Sequence, residues 1–320
     1  MKSDLKPNVV GIDIGGTNTV FGIVDAQGNV LASNSIKTQA YPVLEDYIKA
    51  LGDGILDLVA KNGGIEKING IGVGAPNANY YTGNIEHAAN LPWKGIVPFA
   101  KMLSEKTGVR VTLTNDANAA AIGEMKYGAA RGMRDFIMIT LGTGVGSGVV
   151  ANGQLIYGHD GNAGELGHVI VRRDGRPCGC GNKGCLETYT SATGVARTAK
   201  EMLQNRAGED SLLRKIELDK ITSKDVFDAA MAGDAIAKDI FAFTGQILGE
   251  ALADFVKFSS PEAFVLFGGL AKAGDLLLNP VKKAMDDNLM PVFKGKVKVL
   301  FSQMKDADAA VLGASALAWD

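Results

Sequence analysis

The segment Gly11-Ile12-Asp13-Ile14-Gly15-Gly16-Thr17-Asn18, G-I-D-I-G-G-T-N, joins the apolar, β-branched run Val9 to Ile14 to a second such run, Thr19 to Val24. This reads as strand, glycine turn, strand. Beyond D-A-Q-G-N, Val30 to Ser35 supplies a third strand. From Phe136 the order returns: Phe136 to Leu141, the glycine-rich L-G-T-G-V-G-S-G from Leu141 to Gly148, then Gly148 to Ala151 and Gln154 to Tyr157. Repetition of the same unit implies duplication of an α/β architecture.

Between the two copies the pattern gives a helix over Leu44 to Val59, a strand over Ile68 to Val73, a helix over Phe99 to Thr107, a strand over Val109 to Leu113 and an alanine-rich helix over Ala117 to Lys126. After the second copy come helical stretches at Gly194 to Asn205 and from Ser223 to about Phe258, then the strand Ala263 to Phe267. A helix near Asp275 to Asn288, the strand Val297 to Phe301 and a closing helix Ala307 to Trp319, free to pack on either half, complete the order. A chain of 320 residues exceeds the size at which one core stops growing, so two lobes around a central cleft are expected. The boundary is placed with 1–115 and a C-terminal helix from about 305 to 320 in a smaller lobe, and 116–304 in a larger one.

Lys and Arg number 33 against 35 Asp and Glu, with no long run of one sign, so neither a nucleic-acid nor a membrane surface is indicated. The leading residues Met1 to Asn8 are polar and lack an apolar signal region, and no stretch approaches a membrane span. All three cysteines, Cys178, Cys180 and Cys185, fall within R-P-C-G-C-G-N-K-G-C-L-E, close to His168 in G-E-L-G-H. Four such ligands fill a tetrahedral zinc shell and leave no open position, as a structural site does. The alternative is three buried thiols and a hydrogen-bonded histidine. Zinc would clamp a loop carrying Glu165 on one side and Glu187 on the other, and reduced thiolates place the protein in the cytoplasm.

Each glycine turn alone is a hairpin feature; as a pair they suit a polyphosphate. Gly15, Gly16 and Thr17 in one, and Thr143 between Gly142 and Gly144 in the other, can offer backbone N–H groups and hydroxyls. Asp13 would then act through Mg2+. Neither turn leads into a helix and no Walker-type ending occurs, which disfavours a dinucleotide enzyme and a P-loop NTPase. Gly268 and Gly269, in F-G-G-L-A-K-A-G-D, sit between a strand and a helix; they suit a nucleotide base or ribose, or a plain packing turn. Thr114-Asn115-Asp116 lies at the carboxyl end of a strand, where ligands of open α/β sheets gather. Asp116 reads as a helix cap, or as the base that takes a proton from an attacking polyol hydroxyl while Asn115 bonds a neighbouring one.

With these residues assembled, the chain resembles the ROK family of repressors and kinases within the actin-like ATPase and sugar kinase superfamily, over essentially its whole length. Asp13 with Gly15 to Asn18 resembles the family's first phosphate motif, Leu141 to Gly148 its second and Phe267 to Asp275 its adenosine motif. E-x-G-H followed by C-x-C-G-x-x-G-C-x-E is the most family-specific pattern. The resemblance implies a duplicated actin-like ATPase (ribonuclease H-like) fold and an ATP-dependent hexokinase, with glucose as acceptor ahead of N-acetylglucosamine, N-acetylmannosamine, fructose or allose. It implies that Asn90, Asn115, Asp116, Glu165, His168 and Glu187 contact the sugar, and that the chain forms a homodimer or homotetramer. G-A-P-N, Gly74 to Asn77, departs from the family, which more often has a second glycine where Asn77 stands. A sugar-responsive repressor of the family would need several dozen residues of winged helix before the first strand, where eight precede it here.

Overall fold

The computed structural model describes residues 6–304 and 308–319. Expectations that fall on 1–5, 305–307 and 320, including the first residue of the closing helix, lie outside the described residues. The first half runs β1 (Asn8–Ile14), β2 (Asn18–Asp25), β3 (Val30–Lys37), α1 (Leu44–Lys61), β4 (Ile68–Gly74), the short strands β5 (Ala78–Asn79), β6 (Asn84–Glu86) and β7 (Ile96–Val97), α2 (Phe99–Thr107), β8 (Val111–Thr114) and α3 (Asp116–Tyr127). The second half runs β9 (Phe136–Leu141), β10 (Val145–Ala151), β11 (Gln154–Leu155), α4 (Glu187–Thr190), α5 (Ala192–Asn205), α6 (Ser223–Met231), α7 (Ala235–Ser259), β12 (Ala263–Phe267), α8 (Asp275–Asn288), β13 (Lys298–Phe301) and α9 (Ala309–Ala316).

The duplication is visible in the sheets. One five-stranded sheet has the order β3-β2-β1-β4-β8 and the other β11-β10-β9-β12-β13. In each, the first three strands pair antiparallel and the last two join in parallel. The apolar positions of α1, Tyr47, Ile48, Leu51, Ile55 and Val59, recur at helical spacing and are buried against the first sheet together with Phe99 and Leu103 of α2. Helices α5 to α8 cover the second sheet in the same way.

The inner faces are joined through glycine. A Cβ on Gly11 of β1 would lie 2.1 Å from Val311 O, and one on Gly72 of β4 would lie 1.9 Å from Ala314 O. Bare backbone at these positions lets α9 rest on the first sheet. Gly146 and Gly148 of β10 do the same for α3, whose Ala117 and Ala121 methyl groups occupy the space. The closing helix thus packs on the first sheet and meets α3, which packs on the second.

Two expectations are corrected, and one element is added. The stretch from Ser223 to Phe258 is two helices, because Gly233 takes φ +97° and the Asp234 side chain caps α7 by accepting from Ala237 N–H at 2.9 Å. The strand expected to reach Tyr157 stops at Leu155. The small sheet β5-β6-β7 was not expected. Among the described residues, no helix is long and apolar enough to cross a membrane.

Candidate active site

The first glycine turn follows β1 and is closed by Gly15 N–H donating to Asn18 O at 2.9 Å. Thr38 Oγ1 donates to Gly15 O at 2.8 Å, and Gln39 Nε2 donates to Gly16 O at 2.6 Å and to Asn90 O at 3.3 Å. Asn90 therefore stands beside this turn, where a Cβ on Gly16 would come within 3.0 Å of its carbonyl. The second turn is shorter than the glycine-rich run suggests, since β10 already begins at Val145. Gly142 N–H closes it on Gly144 O at 3.0 Å, and three neighbours hold it: Ala192 N–H on Gly142 O at 2.8 Å, Thr193 Oγ1 on Thr143 O at 2.8 Å, and Val145 N–H on Glu187 Oε2 at 3.2 Å.

Gly142 and Thr143 open onto a cavity of about 350 Å³ whose far wall is Gly269, Leu270 and Lys272. Its remaining lining includes Ser223, Lys224 and Phe227 of α6. Gly268 takes φ +104° and passes so close to Leu141 O that a Cβ would sit 2.6 Å from it. Glycine is required there for the close approach of the two turns. The size suits a nucleoside.

A second cavity, about 480 Å³, lies between the carboxyl ends of the two sheets. Asn115, Asp116 and Glu165 line it, together with Asn77, the residue at which G-A-P-N departs from the family, and with His87 and Asn162, which no sequence motif had marked. The helix cap at α3 is Asn115, whose Oδ1 accepts from Asn118 N–H at 2.7 Å. Asp116, one residue on, accepts from Ala117 N–H at 2.8 Å and faces this cavity. Asp13 is raised from 3.8 to about 6, first by burial and then by the charge of Asp116. Glu165 is raised too, by burial, with His168 opposing and the Asp116 and Glu187 carboxylates adding. Asp13 and Asp116, near enough for their charges to interact, form a donor set that suits a hard divalent cation.

His168 and Glu187 face the cysteine loop. Cys178 Sγ lies 3.6 Å from His168 Nδ1, Cys180 Sγ lies 3.6 Å from Cys185 Sγ, and one ligand atom from each of the four residues falls within 4.8 Å of the others. Tetrahedral zinc with Zn–S near 2.3 Å sets sulfurs about 3.8 Å apart, so these four residues are a donor set that suits that ion. Glu187 reaches both ways: Oε1 accepts from the Cys178 thiol at 3.2 Å and Oε2 holds the second glycine turn.

The paired sheets, the two glycine turns and the acid-lined cleft between them define the duplicated actin-like ATPase fold. Within that class the chain belongs to the ROK family, whose sequence profile matches residues 9–320. It is 38% identical over 311 residues to a glucokinase of Halalkalibacterium halodurans, covering 95% of this chain and 92% of that one. It is 35% identical over 315 residues to a glucokinase of Thermotoga maritima, covering 98% and 97%. The structure is similar to that of a ROK family glucokinase from Streptomyces griseus in complex with glucose and AMPPNP, with TM-score 0.77 and 33% identity over 96% of this chain and 98% of that one.

Proposed function

We propose that glucose is the acceptor of this ATP-dependent sugar kinase, which transfers the γ-phosphoryl group of ATP to it and yields glucose 6-phosphate and ADP. The glucose and AMPPNP held by the Streptomyces griseus relative support the substrate pair. The observation that carries the assignment of residues is that Asp116 and Glu165 line one cavity while Gly142 and Thr143 of the second glycine turn line another.

Asp116 accepts the proton of the attacking hexose hydroxyl as the new O–P bond forms and the bond between the β,γ-bridging oxygen and the γ-phosphorus breaks. Phosphoryl transfer asks mainly for alignment and charge neutralisation, so a carboxylate is an adequate base. Asn115, Glu165, His168 and Glu187 hold the sugar hydroxyls, and Asn90 reaches the site from the side of Gly16. Gly15 to Asn18 and Gly142 to Gly144 receive the phosphates, and Gly268 and Gly269 the nucleoside. Asp13 would hold Mg2+, which supplies neutralising charge to the phosphates when bound. His168, Cys178, Cys180 and Cys185 would hold zinc as a structural clamp.

The lobes of this reading are 1–115 with the C-terminal helix, and 116–304; the seating of α9 on β1 and β4 supports the first grouping. Rates of ADP release over a panel of glucose, N-acetylglucosamine, N-acetylmannosamine, fructose and allose test the acceptor. Glucose is expected to give the highest kcat/KM; a preference of about tenfold or more for another sugar overturns it.

A further inference from the structure

Three bonds support the second glycine turn from outside, and all come from α4 and the start of α5, an elbow of two short segments: Glu187 on Val145 N–H, Ala192 on Gly142 O and Thr193 on Thr143 O. One side chain holds that elbow. Arg176, only 7% exposed, donates through Nη1 to Thr188 O at 2.7 Å and to Gly194 O at 3.3 Å, through Nη2 to Thr198 Oγ1 at 2.9 Å, and through Nε to Glu201 Oε1 at 3.1 Å. Its guanidinium lies 4.5 Å from the centroid of the Tyr189 ring, and the hydroxyl of that ring accepts from Arg176 N–H at 3.1 Å. Planar, forked and always charged, arginine can make all these contacts at once, and no other side chain replaces it.

Arg176 also belongs to the cysteine loop. It stands two residues before Cys178, and its carbonyl accepts from Gly184 N–H at 2.7 Å, next to Cys185. It lines neither the nucleoside cavity nor the acid-lined one. A continuous path of bonds therefore runs from the cysteine cluster through Arg176 and the α4–α5 elbow to the backbone that faces the phosphates.

We propose that Arg176 is a positioning residue through which the cysteine loop sets the nucleotide-binding turn, so that emptying the Cys3His cluster weakens nucleotide binding as well as sugar binding. The inference rests on the kinase reading above and adds to it a coupling between the metal loop and the nucleotide.

The test is calorimetric titration of zinc-replete R176Q, its metal content checked by metal assay, with AMPPNP plus Mg2+ and separately with glucose. The AMPPNP Kd is expected to rise about tenfold, the loss expected of one charge-assisted hydrogen bond, while the glucose Kd moves less than about threefold. Chelator-stripped wild-type protein should show the same loss of AMPPNP affinity. If R176Q does not fold, T193V cuts the last bond of the same path and should raise the AMPPNP Kd about fivefold. An AMPPNP Kd within about twofold of wild type in the folded variant, or a glucose affinity that falls as far as nucleotide affinity, overturns the proposal. Wild-type protein that binds glucose but no AMPPNP refutes the nucleotide assignment itself and takes the proposal with it.

Discussion

Replacing Asp13 by asparagine should stabilise the ligand-free protein while disabling it. The carboxyl of Asp13 is half-buried, and desolvation first and the charge of Asp116 second lift it from 3.8 to about 6. At about 1.36 kcal/mol per pH unit, ionising it in the folded chain costs roughly 3 kcal/mol more than in the unfolded chain. Below about pH 4 the group is protonated in both states and the penalty is absent. Between about 4 and 6 the folded state holds the extra proton, so stability falls as pH rises, and above about pH 7 the full penalty is present. The amide introduced by D13N carries no charge at any pH. For a chain of this length the difference corresponds to about 4 °C in Tm. Thermal unfolding of both proteins, without nucleotide or sugar, from about pH 4 to about pH 8 reads this directly. D13N should melt with wild type at the acid end and about 4 °C above it at the alkaline end. Wild type melting at or above D13N at the alkaline end would mean that ionised Asp13 carries no such penalty.

Stripping zinc, or making C180S, should release the loop that carries Glu165 and Glu187, lowering Tm and raising the glucose KM by about tenfold or more; metal analysis of active wild-type protein should find one zinc per chain. G72A would drive a methyl group into the Ala314 carbonyl, 1.9 Å from the new Cβ, and should cost several kcal/mol in denaturant unfolding, whereas G179A, whose Cβ meets nothing within 4 Å, should cost less than about 1 kcal/mol. Because Asp13 must be ionised to hold a cation, the KM for MgATP should rise as pH falls through about 6 in wild type, measured with glucose saturating.

The features read from sequence were those written locally. The strand-turn-strand units of both halves are contiguous in the chain, and the cysteine loop gathers its ligands within a few residues, so periodicity and spacing sufficed. What was missed depends on distant partners. Strands β5 to β7 are two or three residues long, too short for any alternation to register. The break between α6 and α7 hid under continuous apolar spacing, although Gly233-Asp234 was the available signal. Glycines inside β1 and β4 mark a close backbone approach, but only the fold says that α9 is what approaches. In the site, His87 is a polar loop residue that no motif marks, and Asn77 was marked only as a departure from the family; with φ of +53° and +52°, both reach the cavity because the small sheet carries them there. Asn77 holds that arrangement by donating to Glu86 O at 3.0 Å, a bond that the glycine more usual in the family could not make.

Proton transfer to Asp116 as the phosphoryl group passes from ATP to a hexose can be followed in one reaction by phosphorus NMR with ATP, Mg2+ and glucose. Wild type should convert the γ-phosphate signal to glucose 6-phosphate, and D116N should do so about 10²–10⁴ times more slowly while still binding glucose. A D116N enzyme that forms glucose 6-phosphate at the wild-type rate, or a wild type that forms none from any hexose, would contradict it.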